Sequence, residues 1–115
     1  MYEIIMYDTK DGDCPVKRFL DSLDSKLHAK TLRTIDLLEK NGPDLGGVHS
    51  SLIEDGIFEL RTKQSTNISR VLYFFVIGRK IVLTNGFVKK TQKTPKSELA
   101  LAKKYRADFE GRCGQ

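Results

Sequence analysis

Residues 68–77, ISRVLYFFVI, form the most apolar run in the chain and constrain its fold more than any other segment. The run is rich in β-branched and aromatic side chains, and it lies between the polar segment 63–67 and the pair Gly78-Arg79. A run of this kind is typical of a buried β-strand. We expect it to be the central strand of a sheet, and we expect Gly78-Arg79 to form a two-residue type II′ hairpin turn into the next strand.

Signals for helix starts and stops are found on both sides of the predicted sheet. Pro15 suits the first turn of a helix, where the missing N–H of proline costs nothing. Asp24 or Ser25 can cap a second helix, which Asn41-Gly42-Pro43 ends. Thr94, followed by Pro95, is the expected N-cap of a C-terminal helix. The apolar stripes that we expect to face the core are Val16, Phe19, Leu20 and Leu23 in the first helix, Leu27, Leu32, Ile35 and Leu38 in the second, and Leu101, Ala102, Tyr105 and Phe109 in the third.

The order of these elements indicates the fold class. The predicted strands are 2–7, 51–53, 57–62, 68–77 and 80–88, and most are joined by short turns. Strands in a meander, with helices grouped before and after them, form antiparallel α+β sheets. We therefore predict a single domain, residues 1–115, with an antiparallel, mostly meander β-sheet, an N-terminal helical hairpin and a C-terminal helix, the helices covering one face of the sheet.

Composition excludes several classes of protein. The 115 residues are 39% hydrophobic and 30% charged, which is typical of a soluble globular domain. No apolar run is long enough to span a bilayer, and the N-terminus does not resemble a signal peptide, so we expect a cytoplasmic protein without a membrane partner. Cys14 and Cys113 are far apart, and no Cys, His and carboxylate residues cluster as metal ligands would, so we expect no metal or other cofactor.

Charge is distributed unevenly along the chain. Residues 1–55 contain 7 Lys/Arg and 11 Asp/Glu, a net charge of −4, and residues 56–115 contain 13 Lys/Arg and 4 Asp/Glu, a net charge of +9; the two halves sum to +5. This asymmetry favours an oriented contact with a polyanion. It also indicates that the acidic first half is scaffold and that the basic second half contains the chemistry.

The basic side chains of the second half are expected to converge at the sheet. Alternation along the strands places Arg61 on the side of Glu59, and places Arg70 and Tyr73 on opposite sides of the central strand. Both arginines are predicted to stand near strand ends, at the rim of the sheet. Taken singly, each arginine is equally explained as a solvated edge charge or as a partner of Glu59; together with the lysines, the arginines favour phosphate binding.

Residues 88–95, VKKTQKTP, are the densest basic segment. The N-terminus of a helix attracts anions, so three lysines placed there oppose the helix dipole. Their position costs stability unless an anion is bound, which is the kind of local conflict that functional sites show.

Three segments together resemble a known family. They are GIFELR at 56–61, ISRVLYF at 68–74 and GFVKKTQKTPKSELALAKKY at 86–105. They are similar to the HigB-type, phage-derived branch of the RelE toxin superfamily, whose members are usually the toxins of toxin–antitoxin pairs. The resemblance implies a RelE-like fold, cleavage of mRNA on the ribosome without a metal, and neutralisation by a small antitoxin, often a helix-turn-helix DNA-binding protein.

The resemblance also implies roles for individual residues. The catalytic candidates are Arg61, Arg70, Lys89 and Lys90. The RNA-binding candidates are Lys63, Tyr73, Thr91, Gln92 and Lys93. In this chemistry the 2′-hydroxyl of RNA is the nucleophile, arginines clamp the phosphate, and a lysine with a lowered pKa accepts a proton.

The chain departs from the family pattern at one point. Some superfamily members place a histidine or a terminal tyrosine at the scissile phosphate, but His28 and His49 lie in other segments. Tyr105 belongs to the apolar stripe of the last helix. The alternative hypothesis is therefore a non-catalytic RNA- or ribosome-binding protein, or an inactive toxin homologue.

Overall fold

A computed structural model describes residues 1–89 and 93–112. The elements in chain order are β1 (Glu3–Met6), α1 (Pro15–Asp21), α2 (Ser25–Asn41), a 3₁₀ turn (Gly42–Asp44), β2 (Ser50–Glu54), β3 (Ile57–Gln64), β4 (Asn67–Val76), β5 (Lys80–Lys89) and α3 (Lys96–Arg112). The strands form one sheet in the order β1-β5-β4-β3-β2. Among the strands of the described residues, β1 alone pairs in parallel, with β5. The predicted α+β class, the mostly antiparallel sheet and the central position of residues 68–77 are confirmed.

The boundaries of α2 follow the signals in the sequence. The Asp24 side chain accepts a hydrogen bond from the Leu27 N–H at 2.9 Å, so Asp24 is the cap. At the other end, Gly42 has φ of 53°, and a Cβ there would lie 2.3 Å from the Tyr2 ring. Only glycine satisfies both conditions, and α2 therefore ends where Tyr2, just before β1, packs against it.

The sheet is covered on both faces, which corrects the prediction of helices on one face. Alternate residues along the strands belong to two separate cores. The core beneath α1 and α2 contains Val16, Leu20, Ile35, Leu38, Leu60, Val71, Tyr73, Ile81 and Leu83. The core beneath α3 contains Tyr7, Ile57, Leu72, Phe74, Val82 and Ala102. The meander pattern could not show this, because it does not specify the side of the sheet to which a terminal helix returns.

Three local predictions also differ from the structure. Leu32 and Leu101 are 40% and 36% exposed, so they are not core residues. Gly78 and Arg79 have φ of 97° and 62°, whereas a type II′ turn has positive φ only at its first central residue. The Thr94 hydroxyl does not cap α3; it donates to the Glu59 carboxylate at 2.6 Å. Among the described residues, no helix is both long enough and apolar enough to cross a membrane.

Candidate RNA-binding site

The predicted arginines lie side by side on the sheet face that α3 partly covers. Arg61 of β3 is directly opposite Arg70 of β4. Two pairs further along, Lys63 is opposite Ile68, which is in turn opposite Lys89 of β5. Directly paired residues of neighbouring strands point to the same side, so these side chains share a face. We call Arg61, Lys63, Arg70 and Lys89 the basic face.

Glu59 joins the two arginines. Its Oε2 accepts hydrogen bonds from Arg70 Nη1 at 3.0 Å and from Arg61 Nη1 at 3.2 Å. Its Oε1 accepts the Thr94 hydroxyl. Two like charges on opposing strand positions repel each other, and a shared carboxylate offsets that repulsion. Glu59 therefore holds both guanidinium groups and also connects them to the segment that leads into α3.

Sequence reasoning did not place Glu59 in the site, although a signal was present. Glu59 is the one acid between Gly56 and Pro95, and it lies two residues before Arg61. The alternative that either arginine pairs with Glu59 is confirmed for both. Glu59 is 2% exposed, so this carboxylate is buried with its partners rather than solvated at a strand edge.

Arg70 does not lie at the rim of the sheet. Its exposure is 0%, because β4 is the central strand and has β3 and β5 on either side. A buried charge needs compensation by an ion pair and hydrogen bonds, and Glu59 supplies part of that compensation. Arg70 is therefore a positive charge fixed within the sheet. It acts on the surface above it through its electric field and by orienting the neighbouring side chains.

Arg61, by contrast, does lie at the edge of the site. Its side chain retains 24% exposure. Nη1 donates to Ser51 Oγ at 2.7 Å, and Nη2 donates to the Gly47 carbonyl. The Arg61 N–H also donates to the His49 carbonyl at 2.7 Å. This guanidinium is thus oriented by β2 and by the loop before it while part of it faces solvent, which is the geometry expected of a phosphate clamp.

The Tyr73 ring lies on the opposite side of β4 from Arg70. It is 1% exposed and packs between Phe58 and Phe75 in the core beneath α1 and α2. Burial raises the pKa of its hydroxyl. The predicted alternation, with Arg70 and Tyr73 on opposite sides of β4, is confirmed. The Tyr73 ring is therefore buried away from the basic face, although its hydroxyl is close enough to Arg61 for that positive charge to oppose the rise in its pKa.

The lysines have mixed positions. Lys63, Lys89 and Lys93 are exposed. Lys90, Thr91 and Gln92 lie outside the described residues. Within residues 1–89 and 93–112, no three Cys, His, Asp or Glu side chains are grouped closely enough to hold a metal ion. What the described side chains provide is cationic: two arginines share one carboxylate, and three exposed lysines add positive charge around them.

The fold and this site define a small α+β protein with a cationic sheet face suited to phosphate groups. A family model described as phage derived protein Gp49-like (DUF891) matches residues 18–107, from within α1 to within α3. The chain belongs to this family, which is a toxin-like family of the RelE and HigB type. A search of curated proteins found no match.

Proposed function

We propose that this protein is the HigB-type toxin of a type II toxin–antitoxin system, and that it is a metal-independent endoribonuclease which cleaves mRNA on the ribosome. The observation that supports this most strongly is the Arg61–Glu59–Arg70 arrangement, in which two guanidinium groups are held side by side on a face that also presents exposed lysines. Such an arrangement is suited to a phosphodiester, whose negative charge increases in the transition state. Membership of a toxin-like family supports the biological role.

The proposed reaction is an internal displacement at phosphorus. The RNA 2′-oxygen bonds to the adjacent phosphorus, and the bond from phosphorus to the 5′-oxygen of the next nucleotide breaks. The proton of the 2′-hydroxyl passes to a base, and a proton reaches the departing 5′-oxygen, so the products are a 2′,3′-cyclic phosphate and a 5′-hydroxyl. We assign phosphate binding to Arg61, its electrostatic support to Arg70, and proton transfer to Lys89 or Lys90.

Preorganisation is the main contribution of this site. Arg61 and Arg70 are oriented by Glu59 before RNA arrives, so little reorganisation is needed when charge develops on the phosphorus oxygens. Lys63 and Lys93, together with Thr91 and Gln92, are the proposed contacts to the rest of the RNA. The ribosome would then supply the orientation of the substrate strand that this small site leaves open.

The proposed partners follow from the same charge distribution. We propose mRNA and the ribosome as the targets in the cytoplasm, and a small helix-turn-helix antitoxin as the neutralising partner. An antitoxin that covers the basic face with acidic side chains should bind less tightly as salt rises, because screening weakens exposed charge pairs. Titrating salt against the stability of the complex tests this, and an affinity independent of salt would instead indicate an apolar interface.

The proposed nuclease activity is tested by Arg61→Ala. We expect the variant to lose growth arrest on expression and to cleave mRNA about 10²–10³-fold more slowly, the usual loss when one transition-state donor is removed. Primer extension on RNA from expressing cells measures the cleavage, and circular dichroism checks the fold. Arg18→Ala is the matched control, because Arg18 is an exposed arginine of α1 paired with Asp13. Unchanged cleavage by a folded Arg61→Ala protein would contradict the assignment.

One observation favours a second candidate function. Arg70 is buried and ion-paired with Glu59, as in a structural ion pair that supports a binding surface. A non-catalytic RNA- or ribosome-binding protein would use the same surface without cutting. Primer extension separates the two: intact transcripts with arrested translation identify the binder, and new 5′ ends within translated mRNA identify the nuclease.

A further inference from the structure

A groove of about 520 Å³ lies between α2 and the edge of β3, next to the basic face. The cations that line it are Lys30, Arg33, Arg61 and Lys63. A second, adjoining groove shares Lys30 and Arg33 and adds Lys26. None of the described residues that line either groove is acidic. We call Lys26, Lys30, Arg33 and Lys63 the α2 track.

The α2 track is a regular feature of the fold. Lys26, Lys30 and Arg33 follow at i, i+4 and i+7, so they form one exposed stripe along α2, with neighbouring Cβ atoms about 5–6 Å apart. Lys30 Nζ donates to the Lys63 carbonyl at 3.3 Å, which joins the helix to β3. Because β2 pairs only with residues 57–60 of β3, it leaves this part of the strand edge uncovered.

The positive charges of the track are placed unfavourably for the fold. Lys26 lies in the first turn of α2, where the helix dipole favours anions and disfavours cations. Four cations gathered along one groove repel each other, and none of the described lining residues is an acid that would offset that repulsion. Bound anions would offset it, and the regular spacing along a helix suits an anion that repeats.

The track is continuous with the basic face. Arg61 of the basic face connects the two, since it pairs with Glu59 on the sheet and also lines the groove. Lys63 belongs to both, because it shares a row of the sheet with Lys89. A polyanion whose phosphate lies at the basic face therefore meets the next cations over the edge of β3 and along α2.

We propose that the α2 track binds the phosphate backbone of single-stranded RNA that flanks the phosphate held at the basic face. That the bound RNA is also cleaved rests on the proposed function; that the RNA binds to the track does not. RNA is favoured over an acidic peptide because every nucleotide has a phosphate, which matches cations that recur at each turn of the helix. The described residues that line the groove include His49 but no Phe, Tyr or Trp, so cations outnumber base-stacking rings and contacts to the backbone are favoured over contacts to particular bases.

The test measures the salt dependence of RNA binding. A fluorescein-labelled single-stranded oligouridylate, long enough to reach from the basic face along α2, is titrated with protein at several salt concentrations. In the Lys30→Gln/Arg33→Gln variant we expect weaker binding and a log–log salt slope smaller in magnitude by about 1.4, since each lost single-strand phosphate contact removes about 0.7. Lys17→Gln/Lys40→Gln has the same net charge and is the matched control, with an expected slope equal to that of the wild type.

A labelled uridine trinucleotide is the second probe. It is too short to occupy both surfaces, so we expect the track variant and the wild type to bind it equally. An unchanged slope with the long RNA, equal losses with both RNAs, or a loss of binding to an acidic protein partner with RNA binding intact would each overturn the proposal. Cleavage is not needed for these measurements. If the protein does not cleave RNA but gives the expected slopes, only the proposed function is contradicted. If it cleaves RNA and the slopes are unchanged, only this inference is contradicted.

Discussion

The two faces of the sheet use the same strands in different ways. Beneath α1 and α2, the polar groups are hydroxyls paired internally, Thr31 with Ser69 at 2.7 Å and Thr62 with Thr34 at 2.9 Å. On the opposite face, the neighbouring residues Arg61, Lys63 and Arg70 are charged; Arg70 is buried, whereas Lys63 is exposed and Arg61 is partly exposed. Buried neutral pairs rigidify a core, whereas charges beside solvent can be shared with a ligand.

The difference identifies where function can be located on this fold. The face beneath α1 and α2, which we call the hairpin face, is closed by these two helices and contains Tyr73 in an aromatic cluster. The α3 face is apolar where Leu72 and Phe74 pack, and it becomes cationic one step further along β4, at Arg70. Removing side chains from the two faces should therefore separate stability from RNA binding.

The largest effect is expected from Glu59→Ala. It removes the carboxylate that compensates the buried Arg70, and breaking a buried pair typically costs about 3–5 kcal/mol. Urea unfolding measures the loss, with Lys63→Ala as an exposed control within about 0.5 kcal/mol of the wild type. The double variant Glu59→Leu/Arg70→Met should regain stability without regaining RNA affinity. A Glu59→Ala protein as stable as the wild type would show that the ion pair does not support this face.

Leu60→Ala tests the hairpin face. Leu60 is 1% exposed next to Glu59 in sequence, but its side chain lies in the opposite core. We expect a loss of about 2–5 kcal/mol in unfolding free energy, as for other large-to-small core changes. RNA affinity, measured at a temperature where the variant is folded, should be unchanged. The exposed Leu52→Ala is the control for both measurements, and weaker RNA binding by the folded Leu60→Ala protein would show that the faces are coupled.

Tyr73→Phe has a smaller expected effect. The change keeps the ring between Phe58 and Phe75 and removes only the hydroxyl, so we expect a loss of about 1 kcal/mol or less. RNA binding and cleavage should equal those of the wild type, because Tyr73 is 1% exposed in the opposite core and its hydroxyl is not open to RNA. Fluorescence anisotropy and primer extension measure them. A clear fall in RNA affinity would instead support the predicted RNA contact of Tyr73.

The smallest effect is expected from Tyr7→Phe, in the core beneath α3, where Arg112 and not Arg61 or Arg70 lies over the ring. The Tyr7 hydroxyl donates to Asp108 Oδ2 at 2.6 Å. Burial and this hydrogen bond raise the pKa of Tyr7 from 10.0 to about 12, and the same bond lowers the pKa of Asp108 below 3.8.

These shifts set the sign of the pH dependence. Because the pKa of Tyr7 is raised, the group contributes stability below pH 10.0, and this stability is lost as pH rises towards about 12. Because the pKa of Asp108 is lowered, the group contributes stability above pH 3.8, and this stability is lost as pH falls below that value. Urea unfolding across pH should show the deficit of Tyr7→Phe largest between these limits and smaller at both ends. A deficit that does not vary with pH would mean that packing, not the hydrogen bond, is what the variant loses.

Local features were predictable because their causes are local. The cap at Asp24, the stop at Gly42 and the alternation that separates Arg70 from Tyr73 depend on neighbours a few residues away. The prediction for Thr94 was wrong because its hydroxyl has a partner 35 residues earlier in the chain. Leu32 and Leu101 were assigned to the core because periodicity identifies an apolar stripe on a helix but does not show how much of that stripe the rest of the protein buries.

By itself, the sequence determined the α+β class, the central strand, the basic second half and the segments that resemble the RelE and HigB toxins. Only the tertiary structure decided that α3 returns to the face opposite α1 and α2, that Arg70 is buried, and that Glu59 holds both arginines. It also joined Lys26, Lys30 and Arg33, from the acidic half, to Lys63 and Arg61 from the basic half. The reason is physical: burial and charge pairing depend on contacts between distant residues, whereas propensity and alternation depend on adjacent ones.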